Sequence, residues 1–113
     1  MTQIPSLAFE RGEAIQFIGA KVTLFVGGRI VTMERDDHAG IPWPGYWDLP
    51  GGGRENNESP VECVARETLE EVNLTLEKAD LLWARRYLSR GHDRWFFVAQ
   101  LSDERAEPMR LGD

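Results

Sequence analysis

The stretch that decides the fold runs from residue 51 to residue 74 and reads GGGRENNESPVECVARETLEEVNL. Its second half carries the signals that begin a helix. Ser59 can cap the first turn, Pro60 suits the first helical position, and Glu62 stands three residues after Ser59, as in a capping box. Asn73 suits the end, because asparagine readily adopts the left-handed conformation that follows a helix. The pattern therefore predicts a helix over residues 59–72.

The two faces of this helix differ in chemistry. With successive residues about 100° apart, the arc expected to pack on a sheet consists of Val61, Val64, Ala65, Thr68, Leu69 and Val72. The face away from it carries Glu67, Glu70 and Glu71, spaced i, i+3 and i+4. A hard cation such as Mg²⁺ takes oxygen ligands of this kind. From spacing alone, a solvated acidic face with Arg66 as its counter-charge is an equally good interpretation.

Three consecutive glycines, Gly51 to Gly53, precede the helix. Because glycine has no Cβ, the backbone there can approach a ligand or a metal closely, although an ordinary tight turn is the alternative. The run lacks the G-x-x-x-x-G-K-[ST] pattern that cradles phosphates, so the sequence does not support a P-loop nucleotidase.

Strand-forming runs lie on both sides of this stretch. Residues 22–26 and 29–33 read as two strands joined by Gly27-Gly28, a pair suited to a two-residue hairpin turn. Glycines and prolines are frequent over residues 36–57, which predicts a long loop. Residues 81–89 and 95–101 read as strands around a turn at 91–93. The order of elements predicts an α/β (α+β) fold with a mixed sheet.

The composition restricts the class of protein. A chain of 113 residues fits one domain, and 42% hydrophobic with 28% charged residues is typical of a soluble globular protein. A net charge of −6 argues against binding a nucleic-acid duplex, and the single cysteine, Cys63, excludes an intrachain disulfide. No apolar stretch approaches the roughly 20 residues of a membrane helix, and no secretory signal is visible. The default expectation is a cytoplasmic protein with no membrane contact.

The segment from Gly52 to Leu74 resembles the Nudix box, G-x5-E-x7-R-E-U-x-E-E-x-G-U, in which U is a bulky aliphatic residue. Six of its seven Gly, Glu and Arg positions are filled without a gap, by Gly52, Glu58, Arg66, Glu67, Glu70 and Glu71. If each matched by composition about once in fifteen, the chance per starting point would be on the order of 10⁻⁷. Thr68 replaces an aliphatic residue, and Asn73 replaces a glycine, for which asparagine is the next best residue at a left-handed helix end.

The resemblance implies a single Nudix hydrolase domain over residues 1–113, built as an α/β/α sandwich with a mixed sheet and short of the family's C-terminal elements. It implies Mg²⁺ or Mn²⁺ as cofactor, with Glu67 and Glu71 as the first ligands, Glu70 sharing the metal or deprotonating water, and the Gly51 carbonyl adding a ligand. Glu58 and Arg66 would brace the loop at Gly52 through an ion pair. Members of the family often form dimers, so a homodimer is one option for the quaternary structure.

The activity that the resemblance implies is attack by water on a diphosphate of a small nucleotide substrate. Candidates are a nucleoside triphosphate, an oxidised nucleotide, ADP-ribose or a nucleotide sugar. The alternative is a Nudix-fold nucleotide-binding or regulatory module without catalysis, although the three retained acidic residues argue against it. A calcium-binding structural helix is a further alternative, but the EF-hand loop pattern is absent.

Residues that could contact the substrate are harder to identify from the sequence. Arg35 and Arg54 could bind phosphates, since guanidinium groups bind them in bidentate fashion. Trp43 lies between two prolines and could form a lid, whereas Trp47 is expected in the core. His38 and His92 are expected on surface loops, and Asp113 is the one late acidic residue that could approximate an additional metal ligand.

Overall fold

The computed structural model describes residues 16–34 and 47–109. In these ranges the chain forms a five-stranded mixed sheet and a separate two-stranded sheet, with one α-helix, α1 (Pro60–Val72). The strands are β1 (Gly19–Val26), β2 (Arg29–Ile30), β3 (Met33–Glu34), β4 (Trp47–Asp48), β5 (Gly51–Gly53), β6 (Leu81–Ser89) and β7 (His92–Leu101), and a short 3-10 helix spans Lys78–Asp80. The mixed sheet and its helical layer confirm the predicted fold class.

Strand β1 is the centre of the large sheet. It runs parallel to β7 on one side, and on the other side it pairs antiparallel with both β2 and β5. β6 forms the far edge against β7. Alternate residues of β1 are buried, as are those of β7, and they belong to one hydrophobic core, where α1 packs against β1. Each fully buried aliphatic side chain in this core contributes about 1.5–3 kcal/mol to stability.

Helix α1 begins and ends as the sequence predicts. The Ser59 hydroxyl accepts a hydrogen bond from the Glu62 amide at 3.1 Å, and the Ser59 amide donates to Glu62 Oε1 at 2.8 Å. Asn73 ends the helix with φ 60° and ψ 35°, the left-handed conformation. Among the described residues, no helix is long and apolar enough to cross a membrane.

Both hairpins form, and one differs in register from the prediction. Gly27-Gly28 joins β1 to β2 as predicted, with Val26 opposite Arg29. The turn between β6 and β7 is Arg90-Gly91, not residues 91–93, and both residues have positive φ, 52° and 80°. A two-residue turn of this kind matches the twist of the strands, so β7 begins earlier, at His92. His92 is exposed as expected, but it lies in a strand.

The long loop predicted over residues 36–57 is partly strand. Residues 36–46 lie outside the described ranges, while β4 pairs with β3 and β5 pairs with β1. The predicted strand over residues 29–33 is therefore divided. Arg29 and Ile30 pair with β1, whereas Met33 and Glu34 pair with β4. The prediction that Trp47 belongs to the core is wrong: Trp47 lies in β4 and is 69% exposed.

Candidate active site

The glycine strand β5 brings the backbone to helix α1. Gly51 lies opposite Lys21 in the β1–β5 ladder, and the neighbouring ladder bond is made by the Val22 amide to the Pro50 carbonyl at 3.0 Å. The Gly51 amide instead donates to Glu71 Oε1 at 2.8 Å. The sheet edge is thereby joined directly to a carboxylate of the helix.

Glu67 lies over the next residue of the same strand. A Cβ placed on Gly52 would stand 2.7–2.8 Å from the carboxylate atoms of Glu67, too close for the two groups to keep these positions. The space above Gly52 is therefore occupied by the acid itself. A residue with a side chain in place of Gly52 would leave no room for the Glu67 carboxylate.

The helix is rotated relative to the predicted packing arc. The sequence predicts Leu69 on the buried stripe, but Leu69 is 49% exposed, whereas Cys63 is fully buried. Glu67 and Glu71 do not point away from the sheet, as predicted, but towards β5. The physical reason is the absence of side chains on β5, which lets the helix turn its carboxylates, together with Cys63, against the edge strand.

Arg66 links the helix to the loop that precedes it. Its Nε and Nη2 bind the two carboxylate oxygens of Glu58 at 2.6 and 3.1 Å, and Nη2 also donates to the Gly53 carbonyl at 2.8 Å. The predicted ion pair is therefore present, in the bidentate form that guanidinium geometry favours. Burial tends to raise the pKa of Glu58, but Arg66 and a hydrogen bond from the Glu55 amide hold this pKa below its usual value.

Glu70 is separated from the other two acids. Its side chain is 56% exposed and accepts from Arg66 Nη1 at 3.2 Å, while the same Nη1 donates to Glu67 at 3.1 Å. Within residues 16–34 and 47–109, no three His, Cys, Asp or Glu side chains are arranged to hold a metal ion. Two carboxylates and the glycine backbone converge, and the third carboxylate lies outside them against Arg66.

The electrostatics at Glu71 favour a cation. Burial raises the pKa of Glu71, and the charge of Glu67 raises it further, whereas the Gly51 amide and Lys21 act in the opposite direction. A pair of carboxylates in a half-buried position is stabilised by a positive charge beside it. The atoms that could bind a metal here are all oxygens, the ligands that hard cations prefer. The residues present therefore fit a divalent ion such as Mg²⁺.

Lys21 and Asp48 are site residues that the sequence reasoning missed. Lys21 Nζ binds Asp48 Oδ2 at 2.8 Å, and the charges of both residues act on Glu71. Asp48 belongs to the segment WDLPGGG just before the glycines, so its position was a usable signal. The sequence carried no such signal for Lys21, because only the pairing of β1 with β5 brings Lys21 close to Glu71.

Of the three residues predicted to contact the substrate, the structure describes Arg54. Arg54 donates through Nε to the Glu58 carbonyl at 2.8 Å, and its guanidinium carbon stands 4.5 Å from the centre of the Phe17 ring. These contacts hold the loop after β5. Arg35, His38, Trp43 and Asp113 lie outside the described residues.

Known proteins with related sequences carry names from one family. An RNA pyrophosphohydrolase of Gluconacetobacter diazotrophicus is 32% identical over 88 residues, which cover 75% of this chain and 48% of the relative. A MutT-like protein of Streptomyces ambofaciens is 35% identical over 72 residues, covering 64% of this chain and 43% of the relative. This chain therefore spans less than half the length of either relative.

Solved structures show the same fold. A crystal structure of a MutT/nudix family protein from Enterococcus faecalis matches with a TM-score of 0.68 at 22% identity, covering 99% of this chain and 43% of that one. The family model of the NUDIX domain matches residues 17–111, which include β5, α1 and all the carboxylates described above. The chain belongs to the Nudix family.

Proposed function

We propose that this protein hydrolyses a phosphoanhydride bond in a nucleoside-diphosphate-linked substrate, with a divalent metal ion as cofactor. The observation that carries the proposal is the hydrogen bond from the Gly51 amide to Glu71, with Glu67 packed over Gly52 beside it. This arrangement places two carboxylates and a side-chain-free backbone at one sheet edge.

Glu67, Glu71 and the Gly51 carbonyl would hold Mg²⁺ or Mn²⁺. Mg²⁺ usually keeps several waters and needs only one or two carboxylates together with substrate phosphates, so a third converging acid is not required. A divalent ion bound there would polarise a phosphoryl oxygen and lower the pKa of a coordinated water. The family match and the relative named an RNA pyrophosphohydrolase support a pyrophosphate bond as the target.

The remaining residues act by orientation and proton transfer. Glu70 lies outside the other two acids, exposed and paired with Arg66, and its carboxylate would accept a proton from the attacking water or share the metal. Glu58 and Arg66 fix the loop after Gly52 against the helix, so that the glycine strand and the carboxylates keep their spacing. Arg35, Arg54 and Trp43 remain the proposed contacts to the substrate.

A hydrolysis assay tests the proposal. The chain is incubated with Mg²⁺ or Mn²⁺ and a panel of nucleoside triphosphates, ADP-ribose and nucleotide sugars, and product release is measured. Glu71→Gln keeps an acceptor for the Gly51 amide but loses the charge, so it should stay folded and lose metal affinity and most activity. Glu104→Gln, at an exposed position away from the site, removes the same charge and should keep both.

Two results would count against the hydrolase. Metal-independent nucleotide binding without turnover of any substrate would favour a binding module. Equal activity in the Glu71 and Glu104 variants would show that the carboxylates are assigned wrongly.

A further inference from the structure

A lysine runs along the glycine strand beside the proposed metal site. Lys21 lies opposite Gly51 in the β1–β5 ladder, and a Cβ on Gly51 would stand 2.8 Å from Lys21 Cγ. The stem of Lys21 therefore packs on the strand at a place that a side chain would otherwise fill. Because the Gly51 amide also donates to Glu71, the lysine and this carboxylate contact the same glycine.

Asp48 holds the charged end of this lysine. Lys21 Nζ donates to Asp48 Oδ2 at 2.8 Å and to the Leu49 carbonyl at 3.4 Å, in the turn between β4 and β5. The second carboxylate oxygen, Asp48 Oδ1, accepts from the Leu49 amide at 2.8 Å. Asp48 is thus fixed by its own backbone turn, and it keeps the ammonium at that turn.

Lys21 supplies positive charge to Glu71. Burial raises the pKa of Glu71, and the charge of Glu67 raises it further, whereas the charge of Lys21 acts in the opposite direction. Arg66, on the helix, binds Glu67 instead. A positive charge near a half-buried carboxylate favours its ionised form, so Lys21 stabilises Glu71 before any metal ion binds.

The same charge has opposite effects on the metal-free and the metal-bound site. Without a metal ion, the ammonium offsets the repulsion between Glu67 and Glu71. Beside a divalent ion, it repels the ion, and water screens this repulsion only in part because Lys21 and Asp48 are half-buried. We therefore expect Lys21 to stabilise the metal-free protein and to weaken metal binding.

We propose that Lys21 is a built-in counter-charge of the carboxylate site, held in place by Asp48, and that it lowers the affinity of the site for a divalent ion. Asp48 is a positioning residue, because it keeps the ammonium from moving onto Glu71, where it would compete with the ion directly. This inference rests on the proposed function, since it assumes that Glu67 and Glu71 bind the ion. It assigns the control of metal affinity to β1 and the β4–β5 turn, outside the helix that carries the ligands.

Calorimetric Mg²⁺ titration of single and double variants tests the proposal. Lys21→Met keeps a long stem and removes the charge, so it should bind Mg²⁺ roughly threefold to tenfold more tightly than the wild type. Asp48→Asn removes a carboxylate and also releases the ammonium, so it should weaken Mg²⁺ binding by about tenfold or more. In the Lys21→Met background there is no ammonium to release, so Asp48→Asn should weaken binding by only about threefold.

Urea unfolding in EDTA gives a readout that needs no metal ion. Lys21→Met should unfold at a lower urea concentration than the wild type, because Glu71 loses its counter-charge. This loss should shrink in the Glu71→Gln background, where position 71 carries no charge to stabilise. A lysine that served only to pack on the strand would contribute the same stability in both backgrounds.

Lys78→Met is the matched control. Lys78 is the only other lysine of the sequence, and it is exposed in the short 3-10 helix, outside the β1–β5 ladder and the β4–β5 turn. The substitution removes the same charge from the same type of residue, so it should leave the Mg²⁺ affinity as it is.

The outcomes separate this inference from the proposed function. A Lys21→Met variant that binds Mg²⁺ no more tightly than Lys78→Met overturns the inference and leaves the metal site in place. So does a double variant whose change in the free energy of Mg²⁺ binding is the sum of the changes in Lys21→Met and Asp48→Asn. A wild type that binds no Mg²⁺ overturns the proposed metal site, and this inference with it. If the variants respond as expected but no diphosphate is hydrolysed, the hydrolase proposal fails while the role of Lys21 stands.

Discussion

Gly51 and Gly52 are adjacent, but the structure needs a glycine at each for a different reason. Gly51 has a φ of 138°, and a Cβ there would collide with the Ala20 carbonyl oxygen. At Gly52 the obstacle is only the end of the flexible Glu67 side chain. The first glycine therefore serves the fold of the backbone, and the second serves the position of a carboxylate.

Alanine substitutions should separate these two roles. Gly51→Ala forces a backbone clash at a positive φ and should lower the free energy of unfolding by about 3 kcal/mol or more. Gly52→Ala should change it by less than about 1 kcal/mol, because Glu67 can move aside. It should nevertheless weaken Mg²⁺ binding, since the displaced Glu67 no longer stands beside Glu71 at the strand edge. Urea unfolding and calorimetric Mg²⁺ titration measure the two effects, and equal destabilisation by both substitutions would contradict the distinction.

Glu58 should make the stability of the protein depend on acid pH. Its pKa in the folded protein is lower than the usual 4.5, because Arg66 and the Glu55 amide outweigh burial. A lowered pKa contributes stability that is complete above the unfolded value and is lost as the pH falls through the folded value. Glu58→Gln should therefore be less stable than the wild type at pH 7, by about 1–3 kcal/mol.

The same reasoning predicts that the two stability curves converge below pH 4.5, where the wild type loses the contribution of its carboxylate. Denaturant unfolding between neutral and acid pH measures the difference, with Glu104→Gln as the control for removal of an exposed charge. A difference that stays constant down to acid pH would show that the ion pair does not carry this stability.

At the scale of elements, helix α1 is fixed by the strand it crosses. Cys63 is fully buried, and its Sγ lies 3.7 Å from the Gly52 carbonyl oxygen, on the side of the helix that faces β5. Burial raises the pKa of the Cys63 thiol to about 12, and the negative charge of Glu58 acts in the same direction. The thiol is thus protonated and covered as long as the helix remains on the strand.

Cys63 should therefore report on this contact. Because the thiolate is the reactive form, iodoacetamide at about pH 8 should leave the native protein unmodified and alkylate the single cysteine after unfolding in urea. Mass spectrometry over a range of urea concentrations gives the fraction modified. Gly51→Ala should become reactive at lower urea than the wild type, whereas rapid alkylation of the native wild type would show that α1 leaves β5 readily.

At the scale of the whole molecule, local signals in the sequence predicted the fold well and pairing between distant segments poorly. Ser59, Glu62 and Asn73 define the helix ends through contacts within a few residues, and those ends were predicted correctly. The exposure of Leu69 and Trp47 depends on where β5 and β4 pair, which no local pattern encodes. The spacing of Glu67, Glu70 and Glu71 predicted that they share one face of the helix, but it did not give the direction in which that face points.

Metal binding should stabilise the whole domain. An ion that binds only the folded state, at about a hundred times its dissociation constant, adds about 2.7 kcal/mol to the free energy of unfolding. Mg²⁺ should therefore raise the urea midpoint of the wild type relative to EDTA, and Glu71→Gln should lose most of this increase. Identical midpoints in Mg²⁺ and EDTA for the wild type would argue against a metal site on the folded chain.

The parallel pairing of β1 with β7 has a consequence for the way the chain folds. Ala20 pairs with Trp95 and Val26 with Leu101, so the parallel partner of the central strand lies near the other end of the described chain. The hairpin β6–β7 can form from neighbouring residues, but joining β1 to it closes a loop that contains nearly everything else. During synthesis, the edge of β1 that faces β7 therefore stays unpaired until Leu101 has left the ribosome, and an unpaired strand edge is a place where another chain can pair.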